Sequence, residues 1–176
     1  MSIQPKVLTA LVVTLIGALG SAEVSAQTAA PAAGPFAGFA GSWSGAGTVR
    51  LQSGTSERLR CDAVYQIAPS GTTLHQTLRC RSDSYDVNLQ TTVLYQGGAV
   101  SGTWVESVKQ AQGRISGQIA HGQLQAAAQG PGFTANLAVA LRGDQQTVTM
   151  RSQGNDSTQV SITLRRTGGA RTSSSQ

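Results

Sequence analysis

The chain carries few side chains able to do covalent, metal or acid–base chemistry: two cysteines, two histidines and eight acids among 176 residues. Cys61 and Cys80 have three possible uses: a disulfide, a metal site or a redox pair. Metal and redox chemistry call for C-x-x-C spacing or nearby histidine ligands, and neither is present, so the pair reads as a structural disulfide. His75 and His121 are distant from each other and from any cluster of carboxylates, so no metal site is expected. Gly41-Ser-Trp-Ser-Gly45 and Gly113-Arg-Ile-Ser-Gly117 have the outline of a nucleophile elbow. In both, however, the serine occupies the fourth place, whereas the elbow needs it in the third, on a strand-to-helix turn. No S-x-x-K occurs, and no glycine-rich loop precedes a helix to cradle phosphates. The expectation is a protein without catalytic residues, metal or cofactor.

Binding is the chemistry that remains. Trp104, Glu106, Tyr65 and Tyr95 fall on the apolar faces of strand-like segments and are the candidate ligand-binding residues. An inward carboxylate such as Glu106 is costly unless paired or solvated, so it reads either as the polar handle of a pocket or as a rim residue facing water. On the opposite, polar face, Arg60 and Arg81 come out as direct neighbours. A bound anion would relieve this like-charge pair, but the same residues also read as an ordinary solvated basic surface.

The elements that must position these residues are strands. Leu59, Cys61, Ala63, Tyr65 and Ile67 alternate with polar residues. So do Tyr85, Val87, Leu89, Thr91, Val93 and Tyr95, then Phe133, Ala135, Leu137, Val139 and Leu141, and finally Val160, Ile162 and Leu164. Period-two alternation marks half-buried strands, and no segment shows helical periodicity. Ten strands are predicted, near 42–52, 57–67, 73–82, 85–96, 99–108, 113–120, 123–129, 133–142, 145–152 and 158–166.

Tight turns fix the registers. A turn centred between Ser70 and Gly71 pairs Ile67 with Leu74, Ala63 with Leu78, and Cys61 with Cys80. The Gly97-Gly98 turn pairs Tyr95 with Val100 and Thr91 with Trp104. His121-Gly122 pairs Ile119 with Leu124, and Gly143-Asp144 pairs Val139 with Val148. Apolar residues meet apolar residues in each hairpin. Sequential hairpins make an antiparallel up-and-down meander, and a meander this long leaves two exposed edges unless it closes into a barrel or curled clam. The small residues of the inner face (Gly45, Gly47, Ala63, Gly102, Gly117, Ala126, Ala128 and Ala135) fit either a cavity or closely packed walls.

Location comes from the N-terminus. A polar start with Lys6, an apolar run from Val7 to Gly20 and a small-residue site at Val24-Ser25-Ala26 form a cleavable export signal over 1–26. The run is shorter than the ~20 residues needed to cross a bilayer, and no second one follows, so no transmembrane helix is expected after cleavage. Residues 27–38 read as an Ala/Pro/Gly linker, 39–166 as a single β domain, and 167–176 as a disordered tail. A net charge of +5, carried almost wholly by arginine, hints at most at acidic glycans or anionic lipid headgroups. Nucleic acid is not an expected partner of a periplasmic or secreted protein.

Phe39-Ala-Gly-Ser-Trp-Ser-Gly45, with Trp43 in a Gly-x-Trp on the first strand, resembles the opening of calycin-type barrels, the lipocalins and avidins. The resemblance implies an indole packed across a closed barrel end, an arginine lying over it and an architecture suited to small ligands. No arginine of this sequence is assigned to that place, the later Thr-Asp-Tyr of lipocalins is absent, and the extra tryptophans of avidins are missing. The chain is also similar to exported all-β proteins of Gram-negative bacteria that lack an assigned activity. Two functions follow as expectations: an exported barrel that binds a small apolar ligand, or an envelope structural or protein-interaction module with a filled core.

Overall fold

A computed structural model describes residues 34–154 and 158–167. The proposed export signal, residues 27–33 of the proposed linker and residues 168–176 of the proposed tail lie outside the described residues. Ten strands follow a short 3-10 helix at Ala37–Phe39: β1 (Gly41–Arg50), β2 (Ser56–Ile67), β3 (Thr73–Arg81), β4 (Asp86–Gln96), β5 (Ala99–Glu106), β6 (Ala111–Ala120), β7 (Gln123–Gly130), β8 (Phe133–Arg142), β9 (Gln145–Gly154) and β10 (Gln159–Thr167). Each strand pairs antiparallel with its sequence neighbours, and β1 pairs with β10 to close the barrel. Closure removes both sheet edges, which settles the choice between barrel and clam.

The hairpin registers are those the turns specify. Cys61 faces Cys80 and Ile67 faces Leu74. Tyr95 faces Val100, Ile119 faces Leu124, and Val139 faces Val148. In the turns Gly97–Gly98 (φ 55° and 94°) and His121–Gly122 (φ 50° and 73°) both central residues are left-handed, the geometry a tight two-residue hairpin requires. His121 is therefore a turn residue. The closing register, with Gly45 opposite Leu164, belongs to no hairpin. There a side chain at Gly45 would collide with the carbonyl of Thr163, so the close approach of β1 and β10 depends on the missing Cβ.

Inward residues form the core and outward ones are exposed. On β2, Leu59, Cys61, Ala63 and Tyr65 are buried while Arg58, Arg60 and Asp62 are exposed. Cys61 and Cys80 form a disulfide with a Cα–Cα distance of 4.1 Å.

Three segments differ from the sequence reading. The described end of the proposed linker, residues 34–38, is packed: Phe36 is 1% exposed and joins the core with Phe39. Its Ala/Pro/Gly composition masked one large aromatic that has a core to enter. At the other terminus Thr167, assigned to the tail, pairs with Ser42 and completes β10. The fifth strand, predicted to run to 108, ends at Glu106, so Val108 lies in a turn and is exposed. That turn contains no glycine and passes its left-handed position to Gln110 (φ 52°), which is why it carried no sequence signal.

Candidate functional site

Because strands alternate in direction, one barrel end gathers the start of β1, the β2–β3 turn and the ends of β4, β8 and β10. The segment before β1 lies across this end. Phe36 meets Tyr95 edge-on at 6.4 Å between ring centres, and Phe39 lies 6.0 Å from Tyr65. Trp43, 1% exposed, donates its indole N–H to the Phe39 carbonyl at 2.8 Å. Arg166 on β10 lies over the Trp43 ring, 4.2 Å from its centre, pairs with Asp144 at 2.9 Å, and donates to the carbonyls of Gly38 and Ala40. Arg166 is thus the arginine over the tryptophan, the place left unassigned from sequence. Only the closure of β10 onto β1 brings it there.

Above this closed end the interior holds a cavity of about 220 Å³. It exceeds the ~150 Å³ apolar cavity known to admit benzene and falls below the ~300 Å³ where drug-sized pockets begin. Its lining is mainly Val, Leu and Ile from every strand except β5. The polar residues in the lining are Tyr65, Gln76, Tyr85, Thr91, Gln146 and Thr158, and no charged side chain lines it among the described residues. A larger concavity on the outer wall of β6–β9, lined by residues such as Gln118, Gln125, Asn136 and Arg151, is open to solvent and does not enclose a ligand as the interior does.

The cavity's polar groups are ordered. Tyr65 donates its hydroxyl to Gln146 Oε1 at 3.1 Å and accepts from Gln76 Nε2 at 3.1 Å. Gln146, on β9, is fully buried and reaches Tyr65 across the interior. Burial pushes the Tyr65 pKa up to about 12, outweighing the hydrogen bonds from Gln146 and Gln76, so this residue is a neutral phenol at physiological pH. Beside the pair, Thr91 stands opposite Gln76 in the β3–β4 register and is 6% exposed. Its hydroxyl has no hydrogen-bond partner among the described residues.

The candidate residues named from sequence separate. Tyr65 lines the cavity. Tyr95 packs against Phe36 at the closed end. Trp104 fills a second cluster with Ile115 and Ala126 on the β5–β7 side, its ring close enough to Gly113 that an added Cβ would lie 2.8 Å away. Glu106 sits at the opposite rim, outside the cavity, where it accepts backbone N–H groups from Asn88 (3.0 Å), Val108 (2.9 Å) and Lys109 (2.6 Å). Arg60 and Arg81 are neighbours on the outer wall, and Asp86 on β4 lies 3.7 Å from Arg81, supplying the negative charge the pair lacks. Gln76, Gln146 and Thr91 escaped the sequence reading as site residues. Gln76 was legible as the register partner of Tyr65, whereas Gln146 comes from the far wall.

Glu106 has a pH signature. Burial disfavours its charge, but the N–H groups of Asn88, Lys109 and Val108, with the Lys109 charge, outweigh burial and hold its pKa below the ordinary carboxylate range. A carboxylate with a depressed folded pKa stabilises fully above its unfolded value and loses that contribution as pH falls through the folded one. Glu106→Gln is therefore expected to cost about 2 kcal/mol near neutral pH, with the deficit shrinking as pH falls to the acid side of the ordinary glutamate range. Urea unfolding of both proteins across that range checks this, and a pH-independent difference would contradict it.

A closed antiparallel meander, plugged at one end by a Gly-x-Trp and arginine pair and hollow within, is a lipocalin-like barrel. Solved structures with this fold include the S-type phycobiliprotein lyase CPES from Guillardia theta (TM-score 0.59, 13% identity, 76% of this chain and 91% of that one). Rv2717c from M. tuberculosis gives a TM-score of 0.61 at 11% identity, over 74% of this chain and 94% of that one. A protein of unknown function from the DUF3598 family of Nostoc punctiforme gives 0.55 at 15%, over 74% of this chain and 48% of that one. At these identities the likeness is one of fold. No protein-family profile matches the chain, and no curated protein matches it.

Proposed function

We propose that the protein is an exported β-barrel that binds one small, largely apolar molecule in its interior and performs no chemistry on it. The observation that carries this reading is the unfilled cavity of about 220 Å³, lined mainly by Val, Leu and Ile. A stabilising core would be expected to close such a space, because interiors pack to near-crystalline density and voids are costly. Burying apolar ligand surface there yields roughly 25 cal/mol per Å², enough for useful affinity from a small molecule. Export is supported by the signal-like N-terminus and by the Cys61–Cys80 disulfide, a bond that persists in oxidising compartments. The reading is tested by titrating the protein with a small aromatic hydrocarbon: one molecule should bind per chain, and binding should vanish when the cavity is filled by mutation. A protein that binds none would instead be an envelope structural or protein-interaction module.

A further inference from the structure

We propose that the cavity selects an uncharged ligand bearing one hydrogen-bonding group, such as a hydroxyl or carbonyl, which meets the Thr91 hydroxyl next to Gln76. The inference rests on the interior being a ligand site and adds what that ligand must look like.

Two observations carry it. The first is the lining: no charged side chain faces the cavity among the described residues. An ionised ligand would be stripped of water with no counter-charge to replace it, a penalty that apolar contact in so small a space does not offset. Lys109, beside the lining residue Tyr85, is already engaged, donating to the Tyr85 hydroxyl at 2.9 Å with its ammonium 4.3 Å from that ring's centre.

The second is Thr91. Buried polar groups are almost always hydrogen-bonded, and each exception calls for an explanation, one of which is a partner supplied from outside the chain. Tyr65, Gln76 and Gln146 hydrogen-bond to one another, whereas Thr91 lines the same cavity and its buried hydroxyl has no partner among the described residues. Tyr65, Gln76 and Thr91 form one row across β2, β3 and β4. The polar strip therefore ends, at Thr91, in a hydroxyl without a partner among the described residues. A hydroxyl can donate or accept, so the ligand group is of either kind.

Calorimetric titration with naphthalene, naphthol and naphthoate at neutral pH tests the selection, since the three share a ring system and differ in polarity and charge. Naphthol should bind about tenfold more tightly than naphthalene, the equivalent of one net hydrogen bond, and naphthoate should not bind measurably. Thr91→Val keeps the shape and removes the hydroxyl; it should erase the preference, so that naphthol and naphthalene bind this variant alike. Thr91→Ser, which retains the hydroxyl, should preserve the preference. Equal binding of naphthol and naphthalene, a naphthol preference that survives Thr91→Val, or naphthoate binding as tightly as naphthol would each overturn the proposal while leaving the cavity a binding site. If none of the three binds, the ligand-site reading itself fails, and this selection falls with it.

Discussion

Replacing Trp43 by alanine is expected to lower the melting temperature by about 10–20 °C, the equivalent of a loss of about 3–5 kcal/mol. Trp43 is 1% exposed and sits where the segment before β1 crosses the barrel end. Its truncation removes one of the largest buried side chains, the hydrogen bond to the Phe39 carbonyl and the surface on which Arg166 rests. The loss should not stay local. Phe36 and Phe39 are held over that end by the same contacts, and Arg166 ties Gly38 and Ala40 to β10. Trp43→Phe retains much of the packing and should cost less than half as much. Arg166→Met leaves two carbonyls without their donor and should cost about 1–2 kcal/mol. Thermal unfolding followed by circular dichroism measures all three. A Trp43→Ala protein that melts with the unmodified one would remove the closed end from the account of stability.

The second large effect is expected from the disulfide. Cys61 and Cys80 are buried and 19 residues apart, and cross-linking a loop of this size restricts the unfolded chain by about 3 kcal/mol. Reduction, or the double replacement Cys61→Ala and Cys80→Ala, should lower the urea midpoint by a corresponding amount without altering the strand content. The native strand pairing already places both residues face to face, so the barrel does not depend on the bond for its topology. Oxidised protein purified from an exporting host should show no titratable thiol after denaturation and two after reduction. Two thiols before reduction would contradict both the bond and the reading of the compartment.

The parts of the fold legible from sequence were those encoded locally. At the tight turns Ser70–Gly71, Gly97–Gly98, His121–Gly122 and Gly143–Asp144 the register followed, and with it the inward face of the strands they join. The cysteine pairing and the inward position of Glu106 came from this arithmetic. What was hidden depends on contacts between residues far apart in the chain. The β1–β10 seam has no turn to count from, so neither Arg166 over Trp43 nor Gln146 against Tyr65 could be reached from a hairpin. Phe36 was hidden by its surroundings, since a linker composition says nothing of a single aromatic that finds a core. The Ser107–Gln110 turn lacked glycine, and its hydrogen bonds to Glu106 favour the rim place over the pocket handle, two readings that the sequence left open. The cavity itself is a property of volume. Leu, Val and Ile at inward positions are equally compatible with a full or a hollow barrel, because packing is decided by curvature and strand number rather than by pattern.

The most direct measurement is a calorimetric titration of naphthalene into the intact protein and into a variant whose cavity is filled from both walls, Val93→Phe with Val139→Phe. The intact protein should bind one molecule, and the variant, shown to be folded by a cooperative melting transition, should bind none. Absence of binding to the intact protein, or equal binding to both, would contradict a ligand site inside the barrel.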